Sequence, residues 1–108
     1  MKLDLGADKY LNATVVKDGD QVVFKNEGRM VDDPFNPGNK RFQIEVEIVG
    51  RESEGEYTWT MNKTSLKNLA KKYGDDTANW VGKYATIKIV DQIVRNQPRK
   101  VILGYPLE

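Results

Sequence analysis

The side chains best suited to chemistry in this sequence are cations and flat aromatic rings, gathered in two loops and two strands. Lys40 and Arg41 close one loop, Arg95, Arg99 and Lys100 fill the segment RNQPRK, and Tyr57, Trp59 and the proline-flanked Phe35 supply ring faces. Ammonium and guanidinium groups pair with phosphates, while rings stack on unpaired bases for roughly 1–3 kcal/mol each. Gln43, two residues beyond Arg41 on the same strand parity, adds an amide to that end of the strand.

Other chemistries are excluded by composition. Cysteine and histidine are both absent, which removes disulfides, thiolate nucleophiles, zinc-finger ligands and Ser-His-Asp triads together. The carboxylate pairs Asp32–Asp33 and Asp75–Asp76 are of a type that holds a hard divalent ion or moves protons, yet neither has further ligands nearby. No glycine-rich phosphate loop or nucleophile elbow accompanies them. The expectation is a chain that is not an enzyme, with no catalytic residue, no metal and no cofactor.

A length of 108 residues with 39% hydrophobic and 31% charged positions suits one small domain, placed at residues 1–106, with Leu107 and Glu108 read as a cloning scar. The formal charge of +1 hides an asymmetry: residues 1–60 carry net −4 and residues 61–108 net +5. Such a split can give one face suited to a polyanion. No stretch approaches the roughly 18–20 consecutive apolar residues of a membrane helix, and the start MKLDLGADK is polar. A cytoplasmic protein without membrane contact is expected, its oligomeric state open.

The elements that must position these groups follow from periodicity. Residues 10–16 alternate as a strand, Lys17–Asp20 forms a turn, and Gln21–Phe24 is either the returning strand of a hairpin or the bent continuation of the first. Residues 28–40, with two prolines, two glycines and two asparagines, make the longest loop. Phe42, Ile44, Val46 and Ile48 alternate with Arg41, Gln43, Glu45 and Glu47, giving one apolar and one wet face. Tyr57–Met61 pairs with it, and Tyr57 and Trp59 share a parity with Met61, so both rings face either a groove or the interior.

Leu66, Leu69, Ala70 and Tyr73 mark a helix, started by Asn62 or Thr64 and ended by Gly74. Lys63, Lys67, Lys71 and Lys72 form its wet side or an electrostatic guide. A short turn capped by Asp76 buries Trp80. Ala85, Ile87 and Ile89 begin a strand that reaches Val94 with a bulge near Asp91, an NQP turn interrupts it, and residues 100–105 form the last strand. This order predicts a mainly β protein: a five-stranded, OB-fold-like antiparallel barrel, with the helix between the third and fourth strands capping one end. An open antiparallel sheet with the helix across it has the same inventory.

Residues 59–89 also resemble a known pattern. Asn62-Lys63-Thr64, Tyr73-Gly74, Asp75-Asp76-Thr77, Trp80 and Gly82-Lys83 are similar to the signature of small phage-encoded and archaeal OB-like proteins. The resemblance implies an OB fold and a place in replication, recombination or repair. An OB barrel binds across its second and third strands between two loops. Those loops would bring Lys40, Arg41, Gln43, Arg95, Arg99 and Lys100 together, with Tyr57, Trp59 and Phe35 as stacking surfaces. The functional expectation is a single-stranded DNA or RNA binding module, with Glu45 and Glu47 opposing phosphate at the groove centre. The alternative is an OB-like adaptor or small subunit that docks a protein partner through the Phe35 loop.

Overall fold

The computed structural model describes residues 9–33 and 36–107. Six strands form one sheet: β1 (Gln21–Phe24), β2 (Arg29–Asp32), β3 (Lys40–Ile48), β4 (Glu56–Met61), β5 (Tyr84–Val94) and β6 (Gln97–Pro106). One helix, α1 (Lys63–Tyr73), joins β4 to β5, and single 3₁₀ turns occupy Glu52–Glu54 and Thr77–Trp80. No helix among the described residues is long and apolar enough to cross a membrane.

The strict alternation of β3 makes it the central strand. Phe42, Ile44, Val46 and Ile48 are buried, and β3 pairs antiparallel with β4 along one edge and with both β1 and β2 along the other. β1 and β2 are two legs separated by a break at Lys25–Gly28. There the Asn26 carboxamide oxygen accepts from the backbone N–H of Gly28 at 3.0 Å and of Glu45 at 3.2 Å, replacing ladder bonds the bend removes. Gly28 has φ +74°, and a Cβ there would lie 2.4 Å from the Phe42 ring, so the bend requires glycine. Residues 29–32 therefore pair with residues 40–43, and the expected 28–40 loop shrinks to its middle.

Two other expected elements differ. The segment 10–16 is a turn rather than a strand, because the Asn12 side chain accepts from Thr14 N–H at 2.9 Å and its carbonyl accepts from Val15 and Val16. β5 and β6 pair without a bulge from Ala85↔Pro106 to Val94↔Gln97, leaving Arg95 and Asn96 as a two-residue turn. Residues 97–99, expected in the turn and basic loop ahead of the last strand, belong to β6.

The helix begins and ends where its flanking residues dictate. Asn62 accepts from Ser65 N–H at 2.9 Å, and Gly74, with φ +91°, donates to the Ala70 carbonyl at 2.9 Å. Leu69 enters the core beside Phe24, Trp59 and Trp80, whose rings pack with centroids 5.8–6.3 Å apart.

The barrel expectation is corrected by the sheet's ends. Closure would need β4 to pair with β6, and among the described residues no such pairing exists; the sheet is open. The two edges that closure would join are each met by another segment. On β4, Thr58 donates to the Lys9 carbonyl and accepts from Leu11 N–H, each at 2.8 Å, in a one-bridge parallel contact. On β6, Gly104 N–H donates to Ser65 Oγ at 2.9 Å, while Asn62 and Asn68 donate to the carbonyls of Ile102 and Gly104 at 3.2 and 3.1 Å. Side chains of α1 thus satisfy the edge that a neighbouring strand would have taken, and a closed OB barrel is excluded.

The segment over β4 is fastened by a charged cluster. Arg51 donates to both Glu54 oxygens at 2.9 and 2.8 Å and to the Val15 carbonyl at 2.8 Å, Tyr57 donates to Glu54 at 2.7 Å, and the Lys9 ammonium binds the Glu54 carbonyl oxygen. The Arg51 hydrogen bond, then that of Tyr57, hold the Glu54 carboxyl down from 4.5 to about 2. A depressed carboxylate stabilises the fold fully above its ordinary value and loses that contribution as pH falls toward its folded value. Stability should therefore drop between pH 4.5 and about 2 in a step that Glu54→Gln removes, read from urea midpoints across that window.

Candidate functional site

The structure distributes the residues singled out in the sequence among three places. Trp59 and Tyr57 point inward, 1% and 9% exposed, with Trp59 stacked on Phe24. Neither ring is a surface on which a base can stack. Phe35 lies outside the described residues. Lys40, Arg41 and Gln43 sit at the start of β3, where Lys40 and Arg41 line a hollow of about 440 Å³ with Met30, Phe42, Lys63 and Leu66.

Charges around that hollow are matched locally. Lys40 pairs with Asp32 at 2.7 Å and Arg41 with Asp33 at 3.2 Å, which gives the Asp32–Asp33 pair a structural use. Gln43 donates to Thr60 at 3.2 Å. Glu45 accepts from Thr58 and lies 3.7 Å from Arg29, and Glu47 lies 3.4 Å from Lys25. The wet face of β3 and β4 is a mixed, self-compensated surface rather than a positive trough.

Arg95, Arg99 and Lys100 are elsewhere, on the outer half of the β5–β6 hairpin. β1 covers the other edge of β5 only at residues 84–86, Gly19–Asp20 bonds Ile87, and Asp18 accepts from Ile89 N–H at 2.8 Å. Beyond Val90, the hairpin from Asp91 to Lys100 has strand pairing only to itself among the described residues. It is an arm of about 14 Å, four residue steps at 3.4 Å each. Asp91 and Lys100 pair across it at 2.9 Å, an exposed contact worth little by itself.

Sequence reasoning did not connect this arm to α1. Asn62 meets Ile102 and Asn68 meets Gly104, so α1 runs in the same direction as β6 and its start lies at the arm's root. Ser65 and Leu69 face inward, and Lys63, Lys67 and Lys71, spaced by four, form an exposed stripe of about 12 Å at 1.5 Å per residue. Lys63, Lys67, Lys71, Lys72, Arg95 and Arg99 make no ion pair with a described residue. The spacing of the lysines was legible; their alignment with the arm was not.

At the tip, Arg95 (φ +53°) and Asn96 (φ +63°) take the left-handed conformations of a type I′ turn. Asparagine adopts this readily, whereas an arginine Cβ is crowded there by about 1–2 kcal/mol. Arg95→Gly should therefore stabilise the protein by about 1 kcal/mol, seen as a higher urea midpoint with unchanged slope. The arm keeps a cation where the backbone prefers glycine.

These placements overturn the single-strand reading. It required a closed barrel with exposed rings between two converging basic loops; the sheet is open and the strand rings are interior. The OB-like adaptor presupposed the same barrel and falls with it. Compared with known proteins, the chain matches no family model, no curated protein and no solved structure.

Proposed function

We propose that the chain is a binding module for duplex nucleic acid, engaging the phosphate backbone through the exposed side of α1 and the β5–β6 arm. The observation that carries this reading is the set of cations without ion-pair partners among the described residues, Arg95 and Arg99 on the arm and Lys63, Lys67 and Lys71 on the helix that runs on from its root. Helix stripe and arm together span on the order of 25–30 Å, most of one duplex turn of about 34 Å. Evenly spaced ammonium groups suit regularly spaced phosphates, and a two-stranded ribbon is a shape that enters a duplex groove.

The rings favour a duplex over a single strand. Tyr105, the ring beside Lys71 and Lys72, is half-buried with the Lys88 ammonium 5.8 Å from its centre, and among the described residues no stacking row accompanies the cations. A formal charge of +1 keeps affinity modest, because the acidic half of the chain opposes the basic half at long range.

Fluorescence anisotropy of an end-labelled duplex of about 20 base pairs tests the reading between about 50 and 200 mM salt. Affinity should fall linearly on logarithmic axes as salt rises, and an unlabelled single strand of equal length should compete less well than the unlabelled duplex. No anisotropy change at the lowest salt, or preferential competition by the single strand, would overturn it.

A further inference from the structure

The arm carries an apolar group that the fold does not use. Ile93 is 80% exposed, the most exposed large hydrophobic side chain of the described residues, and lies directly across from Pro98. The pair sits on the same parity as Asp91 and Lys100, beyond the point where the core-facing positions Ile87, Ile89 and Ile102 end. A solvated isoleucine near the end of a projecting ribbon contributes nothing to the core, and it lies one register step from the Val94–Gln97 pair that closes the turn.

Proline has no backbone N–H and a fixed φ, so the Ile93–Pro98 end is stiffer than a flexible loop. Cations flank it: Arg95 at the turn, and Arg99 and Lys100 on the returning strand. Arg95 occupies a backbone conformation that disfavours it, a pattern that clusters at functional sites.

We propose, on the basis of the duplex-binding reading above, that the arm enters the minor groove and that Ile93, backed by Pro98, wedges between base pairs and kinks the duplex. Partial insertion of isoleucine or proline at a base step unstacks it and bends DNA by roughly 20–90° toward the major groove. Lys63, Lys67 and Lys71, along the helix beyond the arm's root, are placed to hold backbone phosphates beside the insertion point. Pyrimidine–purine steps, the easiest to unstack, are the favoured insertion points.

The test uses the whole chain and a duplex labelled with a donor at one end and an acceptor at the other. Anisotropy of the same duplex reports binding, and energy transfer reports the end-to-end distance. The wild type should raise energy transfer as anisotropy saturates, and more so when a central TA step is present. Ile93→Ser removes only an exposed side chain, so the variant should fold, bind within about threefold of the wild type by the loss of one contact, and lose most of the energy-transfer change. Saturated binding with unchanged energy transfer, or a full change with Ile93→Ser, would overturn the wedge while leaving duplex binding standing. Absence of any anisotropy change would overturn both.

Discussion

Gly104→Ala should unfold at a clearly lower urea concentration than the wild type, with a loss of about 1–3 kcal/mol or more. A Cβ at Gly104 would lie 2.3 Å from Trp59 Cη2 and 3.0 Å from Cζ2. The ring has no room to retreat, since Trp59 is 1% exposed and stacked on Phe24 at 6.3 Å. β6 would have to move instead, and its Gly104 N–H and carbonyl are the groups bound by Ser65 and Asn68 of α1. Displacement therefore costs packing and strands a buried donor together. In a double-mutant cycle, Trp59→Phe should relieve part of the Gly104→Ala penalty, giving an interaction energy of roughly 0.5–3 kcal/mol. Strict additivity of the two changes would show that the ring and the glycine do not meet.

This seam explains which parts of the fold could be read in advance. The alternating faces of β3, the shared inward side of Tyr57, Trp59 and Met61 on β4, Asn62 as one of the two named helix starts, the Gly74 end and buried Trp80 are all present. The choice of the open sheet over the barrel was not legible, because it depends on groups distant in sequence. Ser65 and Asn68 look like ordinary helix residues until they meet β6 some 36–39 positions later. Asn12 shows the local version of the same difficulty: a strand-like alternation lost to a carboxamide that bonds its own neighbours more cheaply than a ladder would form. The basic half of the chain was visible as composition, whereas its arrangement as an arm continued by a helix stripe follows from the unbroken β5–β6 register.

Reversing two charges on that stripe should have the largest effect on binding. In Lys67→Glu/Lys71→Glu, two exposed side chains without ion pairs among the described residues change sign one helical turn apart, so the core and both caps are untouched and thermal stability should stay close to the wild type. Each lost phosphate contact lowers the logarithmic salt slope by about 0.9, so the slope should fall by about 2 and affinity at low salt by more than tenfold. Net charge alone is separated by Lys25→Glu/Arg29→Glu, which changes the formal charge equally on the β1–β3 side, where both cations face acidic partners. That pair should cost less than about threefold, through long-range repulsion screened beyond roughly 10 Å. Equal losses from the two double variants would reduce the helix face to one part of a diffuse field. Unequal losses, with the slope changing only for Lys67 and Lys71, would place phosphates along α1, because the salt slope counts contacts rather than charge.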